Sequence, residues 1–123
     1  MRGFPKQIIG ALGTSKILAL RAGKGSHRFI GIWVVVVKNR VFVRSWSLKS
    51  GGWYRTLLED PCCTIKVGNR NISARAIRTR SSRLKDTVSR AYREKYNTPG
   101  SLVFVLGFKE PKRRDATIEL VHQ

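Results

Sequence analysis

Arg28-Phe29-Ile30-Gly31-Ile32-Trp33-Val34-Val35-Val36-Val37-Lys38-Asn39-Arg40-Val41-Phe42-Val43-Arg44-Ser45-Trp46 is the stretch on which the fold turns. Its first part is a β-branched and aromatic run, and such side chains pack well on a pleated sheet. Lys38-Asn39-Arg40 reads as a tight turn, although it lacks glycine. In the return run Val41, Val43 and Ser45 fall on one face, and Phe42, Arg44 and Trp46 on the other, because successive strand side chains point to opposite sides. The spacing predicts a hairpin in which Arg28–Val37 pairs antiparallel with Val41–Trp46.

Outward from this hairpin the chain reads as short elements. Phe4 to Leu12 suits a helix with Pro5 in its first turn. Ser15 to Ala22 is apolar enough for a strand, and Gly23-Lys24-Gly25-Ser26 is a turn signal. Ser47 to Gly52 is a loop, and Trp53 to Glu59 a helix stopped by Asp60-Pro61. A second hairpin follows, with Cys63 to Val67 running out, Gly68-Asn69-Arg70-Asn71 turning, and Ile72 to Ile77 returning. Ser82 suits the N-cap of a helix from Arg83 to Tyr96, whose apolar stripe is Leu84, Val88, Ala91, Tyr92 and Tyr96. Thr98-Pro99-Gly100 reads as its stop. Leu102 to Phe108 reads as a strand, Lys109 to Asp115 as a charged loop, and Ala116 to His122 as a final strand. About six strands and three short helices in one domain, residues 1–123, predict an α+β, β-dominated barrel with short helices.

Charge bounds the partners. The 123 residues carry 25 Lys+Arg against 7 Asp+Glu, a formal net charge of +18. Residues 1–58 hold eleven bases and no acid, and Pro61 to Lys85 seven bases and no acid. Such an excess repels itself and costs stability. An anionic partner that relieves it is expected, against the plain alternatives of a basic proteome or a solubility device. Non-specific binding to nucleic acid at low salt follows from the charge alone.

Cys62 and Cys63 are adjacent, and His27 and His122 lie far apart. Neither pattern has metal-ligand or redox spacing, so two half-buried thiols at a strand start, in a reducing cytoplasm, are expected. The longest apolar run, Ile30 to Val37, falls well short of the roughly 18 residues that span a bilayer. The N-terminal run is interrupted by Gly10, Gly13 and Lys16, and does not read as a signal peptide.

Two places could hold a ligand. In Gly23-Lys24-Gly25-Ser26-His27-Arg28 the glycines let a ligand approach the backbone, while Lys24 and Arg28 can pair with phosphate. A solvated hairpin turn is the competing reading. Arg44 lies between Phe42 and Trp46 on one strand face, and Trp53-Tyr54-Arg55 opens a helix after Gly51-Gly52, where anions are attracted. Trp53 as a core anchor is the competing reading there. No Ser/His/Asp arrangement or carboxylate pair stands out, so any catalysis is expected to be a cofactor's.

The segments Gly23 to Arg28, Arg40 to Trp46, Gly52-Trp53-Tyr54-Arg55-Thr56-Leu57-Leu58 and the hairpin Thr64 to Ala76 resemble the deazaflavin-dependent nitroreductases. These belong to the flavin-binding split β-barrels. A closer resemblance is to an uncharacterised bacterial domain family of the same barrel type. It rests on Ile32-Trp33-Val34-Val35, Phe42-Val43-Arg44-Ser45, Trp53-Tyr54-Arg55, Ala91-Tyr92-Arg93-Glu94-Lys95-Tyr96 and Ala116-Thr117-Ile118-Glu119-Leu120. The chain departs from the nitroreductase pattern at Lys24-Gly25-Ser26, where Lys-Ser-Gly is usual, and at Arg55-Thr56, where x-Asn is usual.

The resemblance implies a split β-barrel homodimer with a cleft between subunits. It implies a phosphorylated cofactor, FMN or a deazaflavin, and reduction of a small molecule. It puts the phosphate at Lys24, Gly25, Ser26 and Arg28, and the ring system near Arg44, Ser45, Trp53 and Tyr54. A cofactor-free relic of the fold and a non-enzymatic nucleic-acid-binding protein are the alternatives.

Overall fold

The structure is a computed structural model that describes residues 3–25 and 28–123. Its strands are β1 (Leu18–Ala22), β2 (Ile30–Ile32), β3 (Val34–Val37), β4 (Arg40–Arg44), β5 (Cys62–Val67), β6 (Arg70–Arg78) and β7 (Thr117–His122). Its helices are α1 (Lys6–Thr14), α2 (Trp53–Glu59), α3 (Ser82–Lys95), α4 (Pro99–Gly107) and α5 (Pro111–Asp115). The strands form one antiparallel sheet in the order β2-β1-β5-β6-β7-β4-β3. Its two edge strands are consecutive in the chain, with only Trp33 between them. The sheet therefore curls into a nearly closed barrel, the α+β barrel with short helices that the sequence predicts.

The predicted strand Arg28–Val37 divides at Trp33. Its second half pairs with β4, Val34 opposite Val43 and Val37 opposite Arg40. Its first half turns away to β1, with Leu18 opposite Ile32. The end of α3 supplies the hydrogen bonds lost at the bend. Tyr92 Oη donates to the Trp33 carbonyl at 3.3 Å, and Tyr96 Oη accepts from the Val34 amide at 3.1 Å. Lys95 Nζ donates to the Val34 carbonyl at 2.7 Å. Buried backbone groups need such partners, so the bend is built by side chains distant in sequence. The turn at Lys38 and Asn39 forms with φ of 49° and 65°, the left-handed pair that suits a two-residue hairpin.

Two apolar layers follow from strand alternation. Leu18, Leu20, Val34, Val41, Val43, Cys63, Ile65, Ile72, Ala74, Ile118 and Leu120 point into the barrel. There they meet Ile8 and Leu12 of α1 and Tyr54 and Leu57 of α2. Outside β3 and β4 a second layer joins Val35 and Phe42 to Val88, Tyr92 and Tyr96 from the α3 region and Val105 and Phe108 from the α4 region.

Three expectations are corrected. Leu102–Phe108 is helical, not a strand, because Thr98-Pro99 starts a helix instead of ending one. The Thr98 hydroxyl accepts from the Ser101 amide at 3.2 Å, and Pro99 takes the first turn, where its missing N–H costs nothing. Lys109–Asp115 contains α5, which opens on Pro111. The cap of α3 is Ser81, whose hydroxyl accepts from Leu84 N at 3.2 Å, one residue before the predicted Ser82.

Candidate ligand cavity

The three tryptophans of the chain, Trp33, Trp46 and Trp53, converge on one cavity of about 470 Å³. Trp33 comes from the bend between β2 and β3, Trp46 from the loop after β4, and Trp53 from the start of α2. Phe104 and Phe108 complete an aromatic wall from the α4 side, and Arg44 enters from the end of β4. Mutual packing fixes the rings. Trp33 stacks on Tyr96 with centroids 4.1 Å apart and 7° between planes. Trp46 meets Phe104 edge-on at 5.0 Å. The Arg113 guanidinium lies 3.6 Å over the Trp46 ring. A methyl at Gly107 would come within 2.5 Å of Trp46, so glycine is what lets the indole close against α4.

Arg44 is only 2% exposed. Nε donates to Thr117 Oγ1 at 2.8 Å, Nη1 to Ser89 Oγ at 2.8 Å and the Phe108 carbonyl at 3.2 Å, and Nη2 to the Lys85 carbonyl at 3.0 Å. All four acceptors are neutral. Burial pushes its pKa down to about 10, so it remains a cation at neutral pH. It ties β4, β7, α3 and the end of α4 together while leaving its charge unmatched by any hydrogen-bonded carboxylate. No carboxylate lines the cavity. Arg40, four residues away at the other end of β4 and on the same face, instead grips Glu119 with contacts of 2.7 and 2.9 Å.

The site residues expected from sequence divide into two groups. Arg44 and Trp53 meet in the cavity. Ser45 and Tyr54 are buried behind it, with Ser45 donating to the Ser47 carbonyl and Tyr54 packed in the barrel core. Lys24, Gly25 and Arg28 are exposed beyond the far end of β1, since Ile17 at the cavity and Gly23 beside Lys24 bracket that strand. At roughly 3.3 Å per residue, Gly23 is about 20 Å from Ile17 along β1, whereas Arg28 is three residues, about 10 Å, from Gly31 on the cavity wall. Ser26 lies outside the described residues. The Lys24 amide, a candidate for a phosphate nest, is taken by Asp60 Oδ2 at 2.9 Å. Asp60 also accepts from the Cys62 amide at 3.2 Å, and these two bonds hold its pKa below the usual value. Sequence reasoning missed Trp33, Trp46, Phe104 and Phe108 as cavity walls, because no local spacing links them. Among the described residues no group of three His, Cys, Asp or Glu could hold a metal, and no helix is long and apolar enough to cross a membrane.

Fold and site together define a nearly closed antiparallel barrel with an aromatic cavity under its helical flank. The chain belongs to the bacterial family described as uncharacterized protein conserved in bacteria (DUF2255), whose profile matches residues 7–120. Among solved structures it is similar to the conserved hypothetical protein Rv2991 from Mycobacterium tuberculosis, with a TM-score of 0.63 and 14% identity over 95% of this chain and 78% of that one. At that identity the likeness concerns the fold. No curated protein matches the chain.

Proposed function

We propose that this protein binds a planar aromatic cofactor of the flavin or deazaflavin class, its ring between the tryptophans and its electron-rich edge toward Arg44. One observation carries the reading: three tryptophans distant in sequence converge on a cavity whose one cation has no carboxylate partner. Aromatic walls favour stacking on a flat ring, and a desolvated guanidinium favours an anionic or carbonyl-bearing edge. Reduction of a small molecule would be the cofactor's chemistry, with Arg44 polarising the ring.

Titration with FMN and with oxidised and reduced deazaflavin, read by tryptophan quenching and calorimetry, tests this. Quenching by one of them, weakened about tenfold in Trp46→Ala (about 1.4 kcal/mol), is expected. No heat and no quenching with any of them at about 100 μM, a concentration that would populate a micromolar complex, overturns it. Lys24→Ala with Arg28→Ala tests the phosphate position. A tenfold loss for FMN but none for riboflavin puts the phosphate at the turn, and equal affinity puts it elsewhere.

The cavity mouth supports a two-fold homodimer. Ile17, Trp46 and Phe104 line the cavity and are also 54%, 37% and 45% exposed. Leu102, Val103 and Leu106 continue this apolar surface along α4. No residue between Lys95 and Lys109 is charged, so here two chains of net charge +18 can meet without apposing cations. Val103→Asp is expected to convert a dimer into a monomer in light scattering. A wild-type chain that scatters as a 13.9 kDa monomer removes the dimer while leaving the cavity reading intact.

A further inference from the structure

The outer face of β1, β5 and β6 is unlike the rest of the barrel, and its side chains belong to a different kind of site. Strand alternation turns Arg21, Thr64, Lys66, Ser73 and Arg75 outward, opposite the core residues of the same strands. Pairing aligns them in rows, with Arg21 beside Thr64 and Thr64 beside Ser73. Lys66 and Arg75 sit in the rows on either side. No acid occurs in β1, β2, β5 or β6. Arg21 and Lys66 both approach the Phe29 ring, at 4.8 and 5.0 Å. Two like charges are thus gathered over one ring with no carboxylate between them. Between the rows lies a polar hollow of about 430 Å³ that also reaches Lys24. Among the described residues, the Thr64 and Ser73 hydroxyls make no hydrogen bond within the chain.

We propose that this face binds single-stranded nucleic acid through its phosphates, independently of the aromatic cavity. Gathered cations and free hydroxyls are the donors that phosphate oxygens take. The row extends past the hollow to Lys66 and Arg75, further than one phosphate reaches, which favours a polymer. The face is sheet, with no recognition helix of the kind that enters a duplex groove, which favours a single strand lying along a basic track. The Phe29 ring is engaged by the two cations, so the contact is to the backbone and tolerant of sequence.

The test is anisotropy of a labelled mixed-sequence single-stranded oligonucleotide of about 12 nucleotides, within the site size of small single-strand-binding folds, measured across a salt series. The face variant Arg21→Gln, Lys66→Gln, Arg75→Gln is compared with Arg83→Gln, Arg90→Gln, Arg93→Gln, which removes equal charge from exposed positions of α3. With about 0.7 counterion released per phosphate on a single strand, the face variant is expected to lower the slope of log affinity against log salt by about 2. It should weaken binding more than tenfold, while the α3 variant changes the slope by less than half as much. Equal losses in both variants mean diffuse charge and overturn the proposal. So does tighter binding of duplex than of single strand, absence of binding at low salt, or displacement by inorganic phosphate at oligonucleotide concentrations. A face variant that binds FMN-class ligands as the parent does separates this result from the fate of the cavity.

Discussion

The barrel wears two outer faces, and they are built on opposite logic. Outside β3 and β4 the outward residues are Val35 and Phe42, covered by α3 and α4 and sealed by aromatic packing. Outside β1, β5 and β6 they include Arg21, Thr64, Lys66, Ser73 and Arg75, interspersed with Ala19, Cys62, Asn71 and Ile77. The buried residues of α1 and α2, which touch β1 and β5, pack on the inward side. The inward residues of both halves are interchangeable in kind, Leu18 and Leu20 on one side and Val41 and Val43 on the other. The inward alternation therefore makes the barrel, and the outward alternation decides which half takes a helical cover and which meets solvent. Arg44 marks the boundary, since it is an outward cation that the covered half has absorbed onto four neutral acceptors.

The sharpest test of that contrast removes one side chain from each face. Tyr92 is fully buried, and Tyr92→Ala is expected to cost about 3–5 kcal/mol through its cavity and lost packing. The same truncation at Arg75, exposed on the bare face, should stay within about 0.5 kcal/mol. Urea denaturation of the two variants reads the difference, and comparable losses would mean that the bare face is not bare.

A second test presses on the seam between cavity and cover. Gly107→Ala places a methyl against the Trp46 ring. An overpacking cost of about 1–3 kcal/mol is expected, with a red shift of tryptophan emission as the indole swings outward. Unchanged emission would show that α4 moves instead.

The adjacent thiols compare the inside and outside of one strand. Cys62 is half-buried at the hollow, and Cys63 is buried in the barrel, where desolvation pushes its thiol up to about 12 from 9.0. Native protein at pH 8 should react with one equivalent of a thiol reagent, and with a second only after unfolding. Cys63 stays neutral in the folded chain while the unfolded chain ionises above pH 9. Its contribution is thus fully present below pH 9 and lost as pH rises from about 9 to about 12. By pH 10 the stability advantage over Cys63→Ala should have fallen by about 1 kcal/mol.

The smallest effect has the opposite sign on the two faces. Lys66→Gln should stabilise the protein by up to about 0.5 kcal/mol at low salt, because it relieves Arg21, and the gain should fade as salt rises. Removing Arg44 should destabilise at every salt concentration, because it strands buried acceptors. Two variants shifting in the same direction would erase the distinction between the faces.

What the sequence reveals follows the same division. The hairpins, α2 and the stripe of α3 are legible because local alternation or helical spacing encodes them. The helix α4 is not, because Leu102-Val103-Phe104-Val105-Leu106 has the composition of a strand and only the Thr98-Pro99 cap decides against it. The break at Trp33 is hidden too, since the bonds that make it come from Tyr92, Lys95 and Tyr96. Of the expected site residues, Arg44 and Trp53 share a cavity, and their separation from Lys24 depends on where β1 lies. That is a property of the assembled sheet, which no short motif carries.

The bend at Trp33 also bears on how such a basic chain keeps to itself. A sheet invites unwanted pairing along its unpaired rims, where backbone donors and acceptors face other molecules. In this barrel the rims are β2 and β3, three and four residues long, and they meet at a single residue. An incoming strand finds too little ladder to propagate along, and closing the sheet with one bent segment removes a route to aggregation. A one-residue deletion at position 33 would change the phase of everything beyond it, turning Val34 out and Val35 in. Keeping the rims short and keeping the two apolar layers apart thus depend on the same residue.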